Sequence, residues 1–214
     1  MNDLAGKKLQ LWYDLRRIVD ELSESLMTLL IVGLVLFLGI HTLTTLREQR
    51  AALIGRLGEG PYKGLYSVVS AIGLVLIVWG FARYRDSAYL QLWTPPAWLH
   101  PVALALMWFA FVALTAAYSP AGWIKGVLRH PMLVGIKIWA LAHLLANGDL
   151  GALLLFGAFL AWAIYDRIAL KQRGDQGAPR ASFGTGDGIA LVIGSAAYAA
   201  MFWLHPLLIG VPIG

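Results

Sequence analysis

The sequence predicts an all-α protein, a polytopic membrane bundle of about six transmembrane helices. Composition is the first reason. Of 214 residues, 59% are hydrophobic and 14% are charged, and mean hydropathy is +0.68; a soluble domain is nearer about 45–50% apolar and about 25% charged. Distribution is the second reason. Charge is missing from long windows, each near the roughly 17–25 residues with which a helix crosses a bilayer. The third is that lysines and arginines gather in the connections between those windows, where they act as topology determinants.

Residues 27–46, MTLLIVGLVLFLGIHTLTTL, form the first span, 64–82 the second and 100–118 the third. Residues 131–147 form the fourth, the only one with a formal charge, Lys137. Residues 150–165 make a fifth, slightly short span that must tilt little or borrow flanking residues, and 188–209 make the sixth. The turn between spans four and five is little more than NGD, so those helices should pack antiparallel. A membrane barrel would need alternating segments of about ten residues, and these runs are longer and apolar on all sides. Residues 27–209 thus form one transmembrane domain, and 210–214 a short tail.

Orientation is set by loop charge. Arg47, Arg50, Arg56 and Lys63 come after span one, Lys125 and Arg129 after span three, and Arg167, Lys171, Arg173 and Arg180 after span five. All of these fall on one side, which is therefore the cytoplasmic one, and the protein is expected in the cell inner membrane. Arg83 and Arg85, between spans two and three, lie on the other side, and residues 1–26 add Lys7, Lys8, Arg16 and Arg17 there. Leu11, Leu15, Ile18 and Leu22 recur there at helical spacing, which suits an amphipathic interfacial extension. The alternative is a mis-annotated start, with translation beginning at Met27. A signal peptide is a poor account, because no small-residue cleavage site precedes the span. The polar, Gly-rich stretch 171–187, KQRGDQGAPRASFGTGD, reads as a flexible cytoplasmic loop.

Several function classes drop out. The net charge of +5 lies between spans, not along one exposed face as in a nucleic-acid binder. With no cysteine, disulfides, thiolate metal sites and cysteine nucleophiles are excluded. There is no GxSxG, HExxH or Walker loop. Spans without Asp or Glu weaken a proton-coupled transporter reading. The expected partner is the lipid bilayer.

What remains is a set of polar residues at membrane depth, each costly in lipid. His130, Lys137 and His143 lie in HPMLVGIKIWALAHLLANGDL, and His41 lies late in span one. At 100° per residue, His130 and His143 stand about 140° apart on one helix, Lys137 shares the face of His130, and His143 shares its face with Trp139 and Asn147. A buried imidazole can be a structural hydrogen-bonding group, but several at membrane depth point to a metal or haem. At about 1.5 Å rise per residue, His41 lies roughly 7 Å from the cytoplasmic edge, His143 roughly 18 Å from it, and His130 at the edge itself. Depth therefore favours neither His130 nor His143 as a partner for His41. Lys137 would pair with a carboxylate such as Asp166, snorkel to the surface, or hold a ligand carboxylate. His100 and His205, each preceding a proline, read as structural.

RLGEGPYKGLYSVVSAIGLVLIVWG at 56–80, LWTPP at 92–96, HPMLVGIKIWALAHLLANG at 130–148 and FLAWAIYDR at 159–167 together resemble the NnrU family of integral membrane proteins. The resemblance covers almost all of 27–209 in the right order. It implies a role linked to nitrogen-oxide metabolism, around denitrification or nitric oxide reductase. The same superfamily holds 15-cis-zeta-carotene isomerase, a membrane enzyme with haem b. By that likeness His41 and His143 match the implicated axial ligands of the iron, and His130 a supporting or alternative one. From its depth and charge alone, and not from the likeness, Lys137 would neutralise a propionate of such a haem. The isomerase has a cysteine three residues before the second histidine; Ala140 stands there in this chain, which puts any thiolate mechanism in doubt. Three functions stand as expectations: a haem-associated role in nitrogen-oxide respiration, a haem b-dependent cis–trans isomerase of an apolar polyene such as a carotenoid, or a haem-free membrane scaffold.

Overall fold

The structure is a computed structural model that describes residue 13 and residues 27–86, 90–210 and 213. The expectation of an amphipathic extension over 1–26 falls almost wholly outside those residues. The described chain is all-helical, a polytopic bundle. Its helices are α1 (Met27–Thr45), α2 (Arg47–Leu57), α3 (Glu59–Asp86), α4 (Leu99–Tyr118), α5 (Trp123–Leu128), α6 (Pro131–Ala146), α7 (Leu150–Gln172) and α8 (Thr185–Ile209). Five of them, α1, α3, α4, α7 and α8, are long and apolar enough to cross a membrane, and α6 is a shorter apolar helix. Their outer faces carry exposed large apolar side chains, among them Val68, Trp79, Val192, Trp203 and Leu207. Such a belt is a lipid-facing surface.

The fifth span reaches full length by borrowing flanking residues, one of the two outcomes expected for it, and the short helix is the fourth. α7 runs 23 residues, borrowing Asp166–Gln172 beyond the apolar window, whereas α6 has only 16. At about 1.5 Å per residue α6 is roughly 24 Å long, less than the ~30 Å hydrocarbon core. It manages because both its ends are covered by protein, where non-helical backbone at membrane depth is tolerated. At its carboxyl end, residues 90–93 fold over the α6–α7 turn: Leu92 and Trp93 donate to the Gly148 carbonyl at 2.8 and 3.1 Å, and Leu150 donates to Leu90 at 3.0 Å. At its amino end, the stretch after α7 lies over the α5–α6 junction, with Ala178 N–H on the Arg129 carbonyl at 2.8 Å and Arg129 Nη1 on the Ala178 carbonyl at 3.2 Å. Of the segment 171–187, expected as a flexible loop, residues 171–172 continue α7 and 185–187 begin α8, and the stretch around Ala178 covers this junction. Arg129 adopts a left-handed φ of 61° to make that junction.

Two buried carboxylates fix the connections. Asp187, 1% exposed, accepts from Trp123 N at 3.0 Å, Ile124 N at 2.7 Å and Gly184 N at 2.8 Å. It satisfies the orphan donors of two helix starts at once. Asp149, also 1% exposed, caps α7 by accepting from Ala152 N at 2.9 Å. Lys125 closes the end of α4 on the carbonyls of Ala117 and Ser119, at 3.0 and 2.7 Å.

Packing between spans rests on close approach, because lipid gives helices no hydrophobic reason to associate. α1 and α3 run antiparallel with backbone against backbone: a Cβ on Gly73 would sit 2.7 Å from Phe37 N, and one on Gly80 2.6 Å from Leu30 N. α6 packs on α4 and α7, and α8 packs on α4. Trp108 Nε1 on Ser195 Oγ at 2.9 Å adds a polar tie between α4 and α8. One core joins Leu30 and Leu34 of α1, Ile77 of α3, Ala140 of α6 and Phe156 of α7.

The turn before α7 should be intolerant of any side chain. A Cβ on Gly148 would fall 1.9 Å from the Trp93 carbonyl oxygen, while one on Gly39 would meet nothing within 4 Å. Gly148→Ala is expected to cost about 1–3 kcal/mol as an overpacking change, read as a fall in the melting temperature of the detergent-purified protein. Gly39→Ala should be neutral or stabilising by roughly 0.5–1 kcal/mol.

Candidate functional site: an intramembrane cavity at His143

His143 lies in the last turn of α6, and its ring stacks on Phe156 of α7 at 4.3 Å between centroids. Its Nδ1 is 2.8 Å from the Trp139 carbonyl one turn back, and Asn147 Nδ2 donates to the His143 carbonyl at 2.9 Å. The face shared by Trp139, His143 and Asn147, read from helical spacing, is therefore real and hydrogen-bonded. A carbonyl at Nδ1 requires the proton on that nitrogen, which leaves Nε2 as the acceptor, the tautomer of a metal-ligating imidazole. His41 on α1 is held the same way, with Nδ1 2.6 Å from the Phe37 carbonyl.

His143 lines a cavity of about 380 Å³ bordered by α3, α4, α6, α7 and α8. That volume falls within the roughly 300–1,000 Å³ of ordinary small-molecule sites. A second cavity of about 310 Å³ adjoins it and shares Arg85, Met107, His143, Asn147 and His205. The gap exists because α3 makes no extensive contact with α4 or α8. Arg85 reaches it from the end of α3, held by Asp149 Oδ2 at 2.7 Å.

The sequence candidates separate. His41 does not line either cavity. It stacks on Phe37 at 4.1 Å and faces Tyr66 and Trp162 at 5.4 and 6.0 Å. His143 meets α7 at Phe156, six residues before Trp162, so the two imidazoles differ in depth by roughly 9 Å at 1.5 Å per residue. Two axial nitrogens on one metal would stand about 4 Å apart, given bonds of about 2 Å. In this structure the rings of Phe37, Phe159 and Trp139 link the two histidines by successive contacts of 5.7 and 5.3 Å, and the pair shares no site. His130 sits at the opposite end of α6 as its N-cap, with Nε2 4.0 Å from Asp175 Oδ1. Lys137 is half-buried and lines neither cavity. Its suggested partner Asp166 instead accepts from Thr45 Oγ1 at 2.7 Å. No group of three or more His, Cys, Asp or Glu side chains converges as a metal site among the described residues.

Sequence reasoning missed Arg85 and His205 as cavity residues. Arg85 read as a loop charge and His205 as a structural residue before proline, and no local pattern could have said otherwise. His100, expected to be structural, lines the second cavity and contacts the Ile213 carbonyl.

A bundle with five helices long and apolar enough to cross a bilayer defines a multi-pass membrane protein. The chain belongs to the NnrU protein family, whose model matches residues 29–213. No curated protein and no solved structure matches it.

The Arg85–Asp149 pair should bear much of the stability of this end of the bundle. Asp149→Ala removes the α7 cap and breaks the partly buried ion pair with Arg85. An expected loss of roughly 3 kcal/mol is measurable as lowered thermal stability, with Arg85→Lys closer to wild type than Arg85→Ala.

Proposed function

We propose that this NnrU-family protein holds haem b in the inner membrane, in the cavity at His143, in a role linked to nitrogen-oxide metabolism. One observation carries the reading. His143 donates Nδ1–H to the Trp139 carbonyl and so presents an unprotonated Nε2 in an otherwise largely apolar cavity. The donor chemistry fits: a neutral imidazole is a usual ligand of haem iron, and aromatic walls such as Trp139, Phe156 and Phe159 suit a flat macrocycle. When bound, the haem supplies a redox-active iron. The chain's own residues orient the imidazole, exclude water and hold the macrocycle.

The apolar walls also support a second reading, a haem b-dependent cis–trans isomerase of a polyene entering from the bilayer. The loose side between α3 and helices α4 and α8 is the place for such entry.

The test is the absorbance spectrum of detergent-purified protein, oxidised and dithionite-reduced, from cells with ample haem. A b-type spectrum lost in His143→Ala is expected. His41→Ala tests the second histidine that the family likeness implies, and His205→Ala the one on the helix that faces the cavity. A haem-free protein would leave the scaffold reading standing. Carotenoid recovered with the protein, and altered in isomer content by it, would favour the isomerase.

A further inference from the structure

The polar groups of the two joined cavities are not spread evenly. The deep part, between Leu74, Ile77, Leu114, Ile136 and Phe159, is aliphatic and aromatic. Arg85, His143, Asn147 and His205 line both cavities, and His100 and Tyr198 line the second. On α3, Leu74 and Arg85 are separated by roughly 16 Å of helix rise. The site is therefore a slot with an apolar body and a polar end, and the polar end lies at the face where α3 and α8 finish.

Permanent charge on the lining itself has one sign. Among the described residues lining either cavity, Arg85 is the single permanently charged side chain, and no Asp or Glu lines them. A guanidinium keeps its charge at any accessible pH and offers five N–H donors in a fixed plane. Asp149, which does not line either cavity, engages Nη1 at 2.7 Å. That bond sets the plane from behind, because Asp149 is itself anchored by the Ala152 amide at 2.9 Å.

We propose that the slot takes a lipophilic carboxylate, with its acid group against Arg85 and its apolar body directed towards Leu74 and Phe159. Arg–carboxylate hydrogen bonds are charge-assisted and stronger than neutral ones. This proposal rests on reading the cavity as a ligand site. It reverses the orientation that Lys137 suggests from sequence: a haem seated here turns its propionates to Arg85, at the face opposite the basic connections.

The experiment compares a fluorescent polyene fatty acid, parinaric acid, with its methyl ester, each titrated into the full-length purified protein. Binding is read by quenching of tryptophan emission, since Trp139 lines the deep part of the slot. The acid is expected to bind at least tenfold tighter than the ester. Arg85→Lys should keep most of that preference, and Arg85→Gln should bring the ratio close to one. Absence of saturable acid binding, equal affinity for acid and ester, or a preference that survives Arg85→Gln overturns the proposal. The wild-type acid-to-ester ratio decides the matter even if Arg85→Gln does not fold. Haem b and its dimethyl ester, titrated in parallel, separate the two ideas. Failure of haem alone, with the fatty-acid preference intact, removes the haem reading and leaves the lipophilic carboxylate in place.

Discussion

The Asp149 carboxylate is the contact on which this end of the molecule depends. One oxygen caps α7 and the other holds Arg85 at the end of α3. Next to it, Gly148 lets the extended residues 90–93 lie directly on the α6–α7 turn, where no Cβ would fit. These contacts set where α6 stops, where α7 starts and where α3 ends. His143, Asn147 and Arg85 come to one cavity because their helices are fastened within a few residues of those side chains. A buried carboxylate is costly unless fully satisfied, and here both oxygens are occupied.

A second constraint is the length of α6. A helix too short to cross alone must have its ends covered, and the chain supplies a cover at each end. The cover near Arg129 demands a left-handed residue and the other a glycine. In return, α6 lies among α4, α5 and α7 and not on the lipid boundary along its whole circumference. Its polar residues then diverge by face. His143 turns to the cavity, His130 becomes the N-cap under the 173–180 cover, and Lys137 stays half-buried at a distance from both.

The two intramembrane histidines share a local solution and not a location. Each gives Nδ1 to the carbonyl four residues back, which is available to any helical histidine of suitable rotamer. That bond fixes the tautomer without any tertiary partner. The use to which the tautomer can be put depends on surroundings: a cavity for His143, and an aromatic nest of Phe37, Tyr66 and Trp162 for His41.

Much of this was legible in the sequence by itself. The all-helical membrane class, the positions of the apolar helices, the antiparallel α6–α7 pair and the face shared by Trp139, His143 and Asn147 all come from apolar run length and the helical repeat. These are local properties, because in lipid each span must satisfy its own backbone. Only the tertiary structure decided which span was short, since that depends on the covers over α6 and on how far α7 continues past Tyr165. It also decided that the stretch around Ala178 lies on the α5–α6 junction, and that Arg85 and His205 line the cavity with His143 while His41 does not. Those outcomes come from residues far apart in the chain meeting across helices, and hydropathy carries no information on which face of a span meets which neighbour.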